Sequence, residues 1–376
     1  MSLYTALCSH LLFPLHERLK GHDSVAVRKR LEVSQWWSAD QLEDYRIGRV
    51  RHFLADVGQR VPFYRDLFKS LGFDPRSVHS IDALSALPLL DKHSIRANVD
   101  RLMADDHGSL TRYNTGGSSG EPLIFYMGSE RKSHDVAAKW RATRWWDVDI
   151  GDRELVVWGS PIELGTQDRL RRLRDGIMRS HLLPAFEMSP KNLDHFVDTI
   201  RATRPAMLFG YPSSLSLIAQ HAQQRKLPAH DLGIKVVFVT SEKLYDEQRT
   251  VISEVFGCPV ANGYGARDAG FIAHQCPSGS LHISAEDIIV ETVSPDGKPA
   301  APGEPGEIIV THMATGDFPF VRYRTGDIGL LSDKTCACGR GLPVLEDVQG
   351  RTTDFVVARD GTVMHEIGRA SCRERV

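Results

Sequence analysis

The sequence is poor in cysteine, has no long apolar run and carries no excess of charge of either sign. Six cysteines in 376 residues are too few for a disulfide scaffold. The apolar patch at residues 11–15 is far shorter than the roughly 20 residues of a membrane-spanning helix, and no basic leader precedes it. With 46 basic and 48 acidic residues, nothing favours a nucleic-acid or membrane partner. These absences indicate a soluble globular protein, and the cytoplasm is its expected location.

Residues 113–122 form a Gly/Ser run that fits neither the G-x-x-x-x-G-K-[ST] loop nor the dinucleotide fingerprint. Backbone N–H groups of glycines can nevertheless converge on an anion, and hydroxyls add donors to phosphate oxygens. The candidate phosphate-binding residues are Thr115, Gly116, Gly117, Ser118, Ser119 and Gly120. Such a run is also typical of a plain surface loop, so its meaning depends on the rest of the chain.

Strand-like and helical patterns alternate through the middle of the chain. Apolar runs at 155–158, 207–209, 236–239 and 259–261 are separated by helical patterns at 168–180, 192–203, 213–225 and 246–256. This alternation predicts an α/β fold with a parallel sheet covered on both faces. After residue 281, short strands and Pro/Gly turns predict a small β-barrel-like subdomain.

These changes in residue pattern divide the chain into five predicted segments. They are a helical entry segment with the start of the α/β body at 1–110, an α/β nucleotide-binding body at 111–280, a β subdomain at 281–353, a hinge and stub of a C-terminal domain at 354–365, and a tail at 366–376.

The helical pattern at 168–180 is rich in arginine, with Arg169, Arg171, Arg172 and Arg174. Such a helix can meet an anionic partner or present a solvated face. The pattern favours the solvated face, with Leu170, Leu173 and Ile177 as the buried stripe.

Polar and aromatic residues follow several of the predicted strands. Tyr264, Gly265 and Asp268 come after the fourth run of the alternation, and Ser241 and Glu242 come after the third. Ligands of α/β sheets bind at this end of the strands. Asp327 stands in a predicted tight turn that suits two ribose hydroxyls, and Arg351 adds a cation further on.

In this order the segments resemble the adenylate-forming enzymes, and within them the phenylacetate–CoA ligase family with its relatives in capsular-polysaccharide gene clusters. The resemblance covers about residues 45–360 and implies the large N-terminal domain of such an enzyme, without its mobile C-terminal domain. It also implies an AMP-forming carboxylate–CoA ligase, in which an acid and ATP give an acyl-adenylate that then passes to coenzyme A.

The resemblance assigns the site residue by residue. The loop from Thr115 to Gly120 would wrap the ATP triphosphate, Tyr264 with Gly265 would stack on adenine, and Asp327 would hold the ribose. Arg351 would contact ribose or phosphate, Ser241 and Glu242 would border the adenine and acyl pockets, and Asp268 would bind Mg²⁺. Asp268 and Arg351 are the expected catalytic residues.

Two residues depart from the family pattern, which has Glu where Asp268 stands and a hydroxyl where Arg267 stands. Asp can still bind Mg²⁺, with an arm shorter by one methylene. The alternative functions are therefore a nucleotide-binding pseudoenzyme, or an adenylate-transferring protein in polysaccharide biosynthesis.

Four residues have the spacing of a structural metal site. Cys276 and His282 form a Cys-x₅-His pair, and Cys336 and Cys338 form a Cys-x-Cys pair. Three thiolates and one imidazole suit tetrahedral Zn²⁺, with His274 as a competing fourth ligand. Some ligases of the resembled family hold zinc at matching positions.

The tail at residues 366–376 reads as a sequencing adapter translated in frame, so we expect the natural protein to continue past His365. The family's adenylation lysine lies in the C-terminal domain. A chain without it is expected to bind ATP or AMP and to adenylate its acid weakly.

Overall fold

The computed structural model describes residues 2–115, 122–159, 169–185, 188–227, 229–295, 297–351, 355–357 and 363–365. The α-helices of this part are α1 Leu3–Leu7, α2 Phe13–Leu19, α3 Ser24–Ser34, α4 Ala39–Arg60, α5 Pro62–Leu71, α6 Lys92–Ala97, α7 Ser129–Arg144, α8 Arg169–Ile177, α9 Pro190–Thr203, α10 Pro212–Gln224 and α11 Asp246–Phe256. A π-helical turn, Cys8–Leu12, joins α1 to α2. None of the described helices is long and apolar enough to cross a membrane.

The strands follow the same chain order. They are β1 Thr111–Asn114, β2 Ile124–Met127, β3 Glu154–Trp158, β4 Ser180–Pro184, β5 Met207–Gly210, β6 Val236–Thr240, β7 Val260–Ala266, β8 Gly270–Gln275, β9 Leu281–Ile283, β10 Ile288–Val293, β11 Gly306–His312, β12 Tyr323–Ser332, β13 Val344–Arg351, β14 Phe355–Val357 and β15 Val363–His365.

The chain forms two compact units that alternate along the sequence. Unit 1 consists of Met1–Val33, Lys132–Ala266 and Phe271–His282, and unit 2 consists of Ser34–Arg131, Arg267–Gly270 and Ile283–Val376. The five-segment division predicted from sequence style stays a prediction.

Unit 1 is built on a parallel sheet in the order β4-β3-β5-β6-β7, with β8 beside β7. The register places Val157 beside Gly210, and Gly210 beside Val239. Because the strands are in parallel register, their carboxyl ends meet at one edge. The predicted parallel α/β architecture is confirmed.

The central strands β5 and β6 are buried along their whole length, as expected when helices cover both faces of a parallel sheet. One face packs on α9, α10 and α11 through residues such as Ile200, Leu215 and Ile252. The other face packs Phe209 and Phe238 against the end of α7 at Ala142. A Cβ on Gly210 would lie 2.3 Å from the Val157 carbonyl oxygen, so only glycine permits this approach of β5 to β3.

The arginine-rich helix differs from its prediction. α8 ends at Ile177, and Ser180 begins the edge strand β4 instead of closing the helix. The predicted buried stripe is wrong for two residues: Leu173 is 62% exposed and Ile177 is 39% exposed. The side chains of residues 169–172 lie outside the described part, so the outcome for Leu170 and its neighbouring arginines is open.

Unit 2 contains an antiparallel sheet in the order β10-β11-β12-β13 and the β1–β2 hairpin. Its long helix α4 begins with a capping box, in which Ser38 and Gln41 satisfy each other's backbone N–H groups. Pro62 starts α5 at a position where its missing N–H costs nothing, and Gly72 ends that helix in the left-handed conformation.

Candidate functional site

The candidate phosphate loop is closed at its base by Thr115. The Thr115 N–H donates to the Leu123 carbonyl at 3.0 Å, and the Leu123 N–H donates to Thr115 Oγ1 at 2.9 Å. These two bonds extend the β1–β2 ladder by one step and fix where the loop leaves and returns. The other predicted phosphate-binding residues, Gly116, Gly117, Ser118, Ser119 and Gly120, lie outside the described residues.

Asp268 lies in a pocket of unit 2 beside the strand that leaves this loop. The pocket is lined by the end of β2 from Phe125 to Gly128, by Glu130 and Arg131, by Asp268 and Ala269, and by the segment from Ala314 to Phe318. Its cavity volume of ≈ 10 Å³ has room for one water-sized group. The neighbouring Arg267 donates to the Asn114 carbonyl at 3.2 Å, which ties this turn to the end of β1.

The carboxylate of Asp268 is held by a phenol. Tyr323 donates its hydroxyl to Asp268 Oδ2 at 2.5 Å, and the two residues are 1% and 7% exposed respectively. The backbone around Tyr323 is pinned on both sides, because the Leu90 N–H donates to the Arg322 carbonyl and the Arg324 N–H donates to the Leu90 carbonyl, both at 2.9 Å. Tyr323 thus fixes the orientation of the Asp268 carboxylate through Oδ2.

The segment between β11 and β12 forms a fixed wall of the same pocket. Arg49 donates to the Met313 carbonyl at 3.1 Å and to Glu130 at 3.0 Å, and Arg60 donates to Asp317 at 2.9 Å. Both arginines project from α4, three turns apart, and position acidic residues that line the pocket. The Tyr64 hydroxyl adds a bond to the Pro319 carbonyl at 3.2 Å.

Asp327 lies in strand β12, so the predicted tight turn is corrected to a β-bulge. Glu307 pairs with Ile328 and Ile309 pairs with Arg324, so Ile308 alone faces the three residues Thr325–Asp327. Gly326 takes a φ of 80° at this bulge, a conformation that glycine adopts without strain. In the next ladder the backbone of Asp327 pairs with that of Arg351. The structure therefore places these two predicted residues on adjacent strands, while the Arg351 side chain is outside the described part.

The remaining predicted residues lie in unit 1 at the carboxyl edge of its parallel sheet. Thr240 at the end of β6 pairs with Gly263 of β7, so Ser241 and Glu242 leave the sheet beside Tyr264 and Gly265. Ser241 has a φ of 72°, which is unusual for a residue with a side chain. Glu242 accepts the Ser213 N–H at 3.2 Å, near the amino terminus of α10.

Aromatic rings line this sheet from its edge inward. Trp158 stacks on Tyr211 at 4.3 Å and 18°, and on Phe209 at 6.0 Å and 30°. Lys139 lies 4.1 Å from the Phe209 ring centroid and donates to Glu154 at 2.7 Å. The Trp158–Tyr211 stack stands at the strand ends, where a flat or apolar ligand would meet it.

His274 is buried within this aromatic layer. It is 1% exposed and stacks on Phe271 at 5.7 Å, and neither ring nitrogen has a hydrogen-bond partner among the described residues. Burial, with the nearby Arg141 charge, lowers the pKa of His274 to about 3. The imidazole therefore stays neutral at physiological pH.

The predicted zinc ligands form a local pair in each unit. In unit 1, Cys276 and His282 are fully buried, and the turn between them is closed by the Cys276 N–H donating to the Ser280 carbonyl at 2.9 Å. In unit 2, Cys336 and Cys338 precede β13, and the Cys338 N–H donates to Cys336 Sγ at 3.4 Å. A thiol sulfur that accepts a backbone N–H is prepared to carry thiolate charge.

Comparison with known proteins supports this fold. The model of the family described as "AMP-binding enzyme" matches residues 178–315. Protein CapK of Staphylococcus aureus is 23% identical over 345 residues, covering 89% of this chain and 74% of that protein. Phenylacetate-coenzyme A ligase of Thermus thermophilus is 25% identical over 321 residues, covering 83% of this chain and 70% of that enzyme.

A solved structure shows the same fold. 2-Hydroxyisobutyryl-CoA ligase, in its postadenylation state with an adenylate bound, superposes with a TM-score of 0.74 at 19% identity, covering 88% of this chain and 72% of that one. Over residues 178–315 the chain matches the AMP-binding enzyme family, and the relatives it resembles include protein CapK and a phenylacetate-coenzyme A ligase.

Sequence reasoning missed the residues that hold the site residues in place. In the sequence, Tyr323 stands out only because it lies four residues before Asp327. Arg49 and Arg60 do not stand out as functional residues, because arginines are common in helices. A signal for Tyr323 does exist: an aromatic residue between two arginines begins a strand, which places its side chain opposite to theirs.

Proposed function

We propose that this protein is an AMP-forming carboxylate–CoA ligase. The observation that carries the proposal is the pocket of unit 2, in which Asp268 lies beside the strand leaving the Gly/Ser loop. A phosphate loop and a metal-binding acid at one pocket are what activation of an acid by ATP requires. The AMP-binding domain and the named activities of the relatives support the same reaction.

The roles of the residues follow the predicted assignment. Thr115, with the loop residues up to Gly120, would hold the phosphates, and Tyr264 with Gly265 would stack on adenine. Asp327 and Arg351 would hold the ribose and phosphate, which their adjacent strands support. Ser241 and Glu242 would border the adenine and acyl pockets.

The donor set around Asp268 fits Mg²⁺. Carboxylate oxygens are the ligands that this ion prefers, and Glu130 and Asp317 line the same pocket. A bound Mg²⁺ would neutralise charge on the phosphates of ATP. Tyr323 orients Asp268 for this role, and Arg49 and Arg60 keep the two further carboxylates in place.

Two steps make up the proposed reaction. An oxygen of the substrate carboxylate forms a bond to the α-phosphorus of ATP, and the bond to pyrophosphate breaks. The sulfur of coenzyme A then attacks the acyl carbon of the adenylate, gives its proton to solvent, and AMP leaves. Positioning of reactants contributes most of the acceleration in such transfers, so rigid pocket walls are the protein's main contribution.

Calorimetric titration of the protein with ATP in the presence of Mg²⁺, followed by ATP–pyrophosphate exchange with a panel of aliphatic and aromatic acids, tests this function. We expect binding of ATP and weak but detectable exchange that depends on one class of acid. Binding of ATP with neither exchange nor thioester formation for any acid would favour the nucleotide-binding alternative instead. Absence of ATP binding would contradict both.

We further propose that Cys276, His282, Cys336 and Cys338 bind structural zinc. The donor chemistry supports this, since three thiols and one imidazole match a closed tetrahedral zinc site. His274 is a poor competing ligand, because its ring is stacked within the aromatic layer of unit 1.

Zinc analysis of the purified protein is expected to give about one ion per chain. Replacing Cys336 with serine should remove most of the zinc and lower the melting temperature, because metal binding is coupled to folding. Cys258→Ala is the matched control. Cys258 is buried, and burial raises its pKa to about 12, so its thiol stays protonated and the zinc content should not change. Equal zinc loss in both variants, or zinc-free wild type, would end the proposal.

A further inference from the structure

The amino-terminal helical segment of unit 1 exposes a row of leucines. Leu3, Leu7, Leu11, Leu15 and Leu19 follow one another at four-residue intervals, and they are 94%, 44%, 57%, 53% and 80% exposed. These are five of the most exposed large apolar side chains of the described chain. Single exposed leucines are normal on protein surfaces, but a continuous row marks an interaction site.

The π-helical turn keeps this row on one face. In a regular α-helix a four-residue step rotates the side chain by about 40° beyond a full turn, so the row would wind around the axis. The turn Cys8–Leu12 is wider than an α-helical turn and rotates the row back in the middle of the segment. A π-helical turn in this place frequently marks a functional site.

The apolar face continues onto α8. The Tyr4 hydroxyl donates to the Ile177 carbonyl at 2.8 Å, and Cys8 Sγ donates to the same oxygen at 3.6 Å. These bonds dock the end of α8 against the start of the leucine row. Ile177 and Leu173 thereby add the two exposed side chains that the sequence had suggested would be buried.

The charges around this face are basic. Arg18 and Lys20 are exposed at the end of the row, and Arg179 lies 3.7 Å from the centroid of the Tyr4 ring. The acidic side chain between Ser2 and Lys20 is Glu17, and it is 3% exposed and bonded to His22 and Ser24. Arg174 also lies close to this face. Burial lowers the pKa of His16, and the positive charges of Lys20 and Arg174 lower it further.

This charge distribution indicates which partner binds the apolar face. A second copy of the same face would bring mainly basic groups against basic groups, since Glu17 is buried and the partly exposed Asp175 of α8 is already paired with Arg174. An apolar row of helical leucines flanked by arginine and lysine matches a helix that lies flat in the headgroup region of a bilayer. Anionic headgroups supply the charge that the basic residues require.

We propose that the leucine row, with Leu173, Ile177 and the basic residues around them, binds the surface of an anionic lipid bilayer. The leucine side chains enter the boundary between headgroups and acyl chains, and Arg18 and Lys20 contact the headgroups. The protein is thus held on a membrane surface without crossing the bilayer.

Co-sedimentation of the full chain with vesicles of phosphatidylcholine alone, or with added phosphatidylglycerol, tests this surface. We expect binding that needs phosphatidylglycerol and weakens as salt rises. The double variant Leu7→Ser/Leu11→Ser should bind at least about tenfold more weakly. The double variant Arg18→Ala/Lys20→Ala should lose roughly fivefold per charge on anionic vesicles.

Leu217→Ser is the matched control, because Leu217 on α10 is 44% exposed like Leu7 and lies outside the row. It should bind vesicles like the wild type. Circular dichroism and thermal melting establish that each variant is folded. Binding that is absent, or unchanged in both double variants, overturns the proposal. Light scattering tests whether a second copy of the chain binds the row instead. A dimer that depends on the leucines and does not sediment with vesicles overturns the proposal as well.

Discussion

Replacing Asp268 with asparagine is expected to reduce the affinity for ATP in the presence of Mg²⁺ by about 100-fold or more. Loss of a group that only orients a metal ligand typically costs 10–100-fold in metal affinity, and loss of the ligand itself should cost at least as much. The asparagine keeps the size of the side chain and its contact with Tyr323, so the change is one of charge. Titrations with and without Mg²⁺ measure the effect, because only the Mg²⁺-dependent part should fall.

The substitution Tyr323→Phe tests the orientation of the Asp268 carboxylate while its charge is kept. The variant keeps the aromatic packing against Phe320, whose ring centroid lies 4.9 Å away, and removes the bond to Asp268 Oδ2. A loss of 10–100-fold in Mg²⁺-dependent affinity, with metal-free nucleotide binding unchanged, is expected if the phenol orients the carboxylate. Equal losses with and without Mg²⁺ in both variants would mean that Asp268 has a structural role instead.

Replacing Arg49 with methionine should lower the free energy of unfolding by about 3–5 kcal/mol. Asp287 has a fully buried side chain, and Arg49 Nε lies 3.1 Å from its Oδ1. Methionine fills similar space but removes the Arg49 guanidinium from a buried carboxylate, and removing one partner of a buried ion pair is among the costly changes in a protein interior. Denaturant unfolding monitored by circular dichroism gives the difference.

Arg76→Met is the matched control for this experiment. Arg76 also bonds an aspartate, Asp74, but the two side chains are 85% and 47% exposed. Exposed ion pairs contribute little, so the control should leave the denaturant midpoint close to that of the wild type. Similar losses in both variants would contradict the argument from burial.

The parts of the fold that the sequence predicts are those with strong local patterns. β5 and β6 are runs of apolar residues buried on both faces, so composition alone reveals them. β4 was missed because its sequence, SHLLP, is short and follows a helix directly. Leu173 and Ile177 of α8 were misjudged for a different reason: helical periodicity shows that one face is apolar but does not show what covers it.

The same limit applies to the site. Tyr264 and Asp268 stand in a short motif after a predicted strand, where the topology of α/β sheets directs attention. The residues that fix them come from distant parts of the sequence. Leu90 holds the backbone around Tyr323, and Arg49 holds the pocket wall at Met313, across separations that no local pattern encodes. The bulge at Thr325–Asp327 was read as a turn because Gly326 indicates positive φ without telling a bulge from a turn.

The alternation of the two units along the chain has a consequence for synthesis. Ser34–Arg131 emerges from the ribosome early, yet the last segment of unit 2 begins at Ile283, about 150 residues later. At 5–20 residues per second this delay lasts roughly 8–30 s. During that time α4 is without its ion-pair partners Asp287 and Asp317, whereas Lys132–Ala266 can already assemble its parallel strands. The nascent first half of unit 2 is therefore the segment of this protein that most needs protection by chaperones.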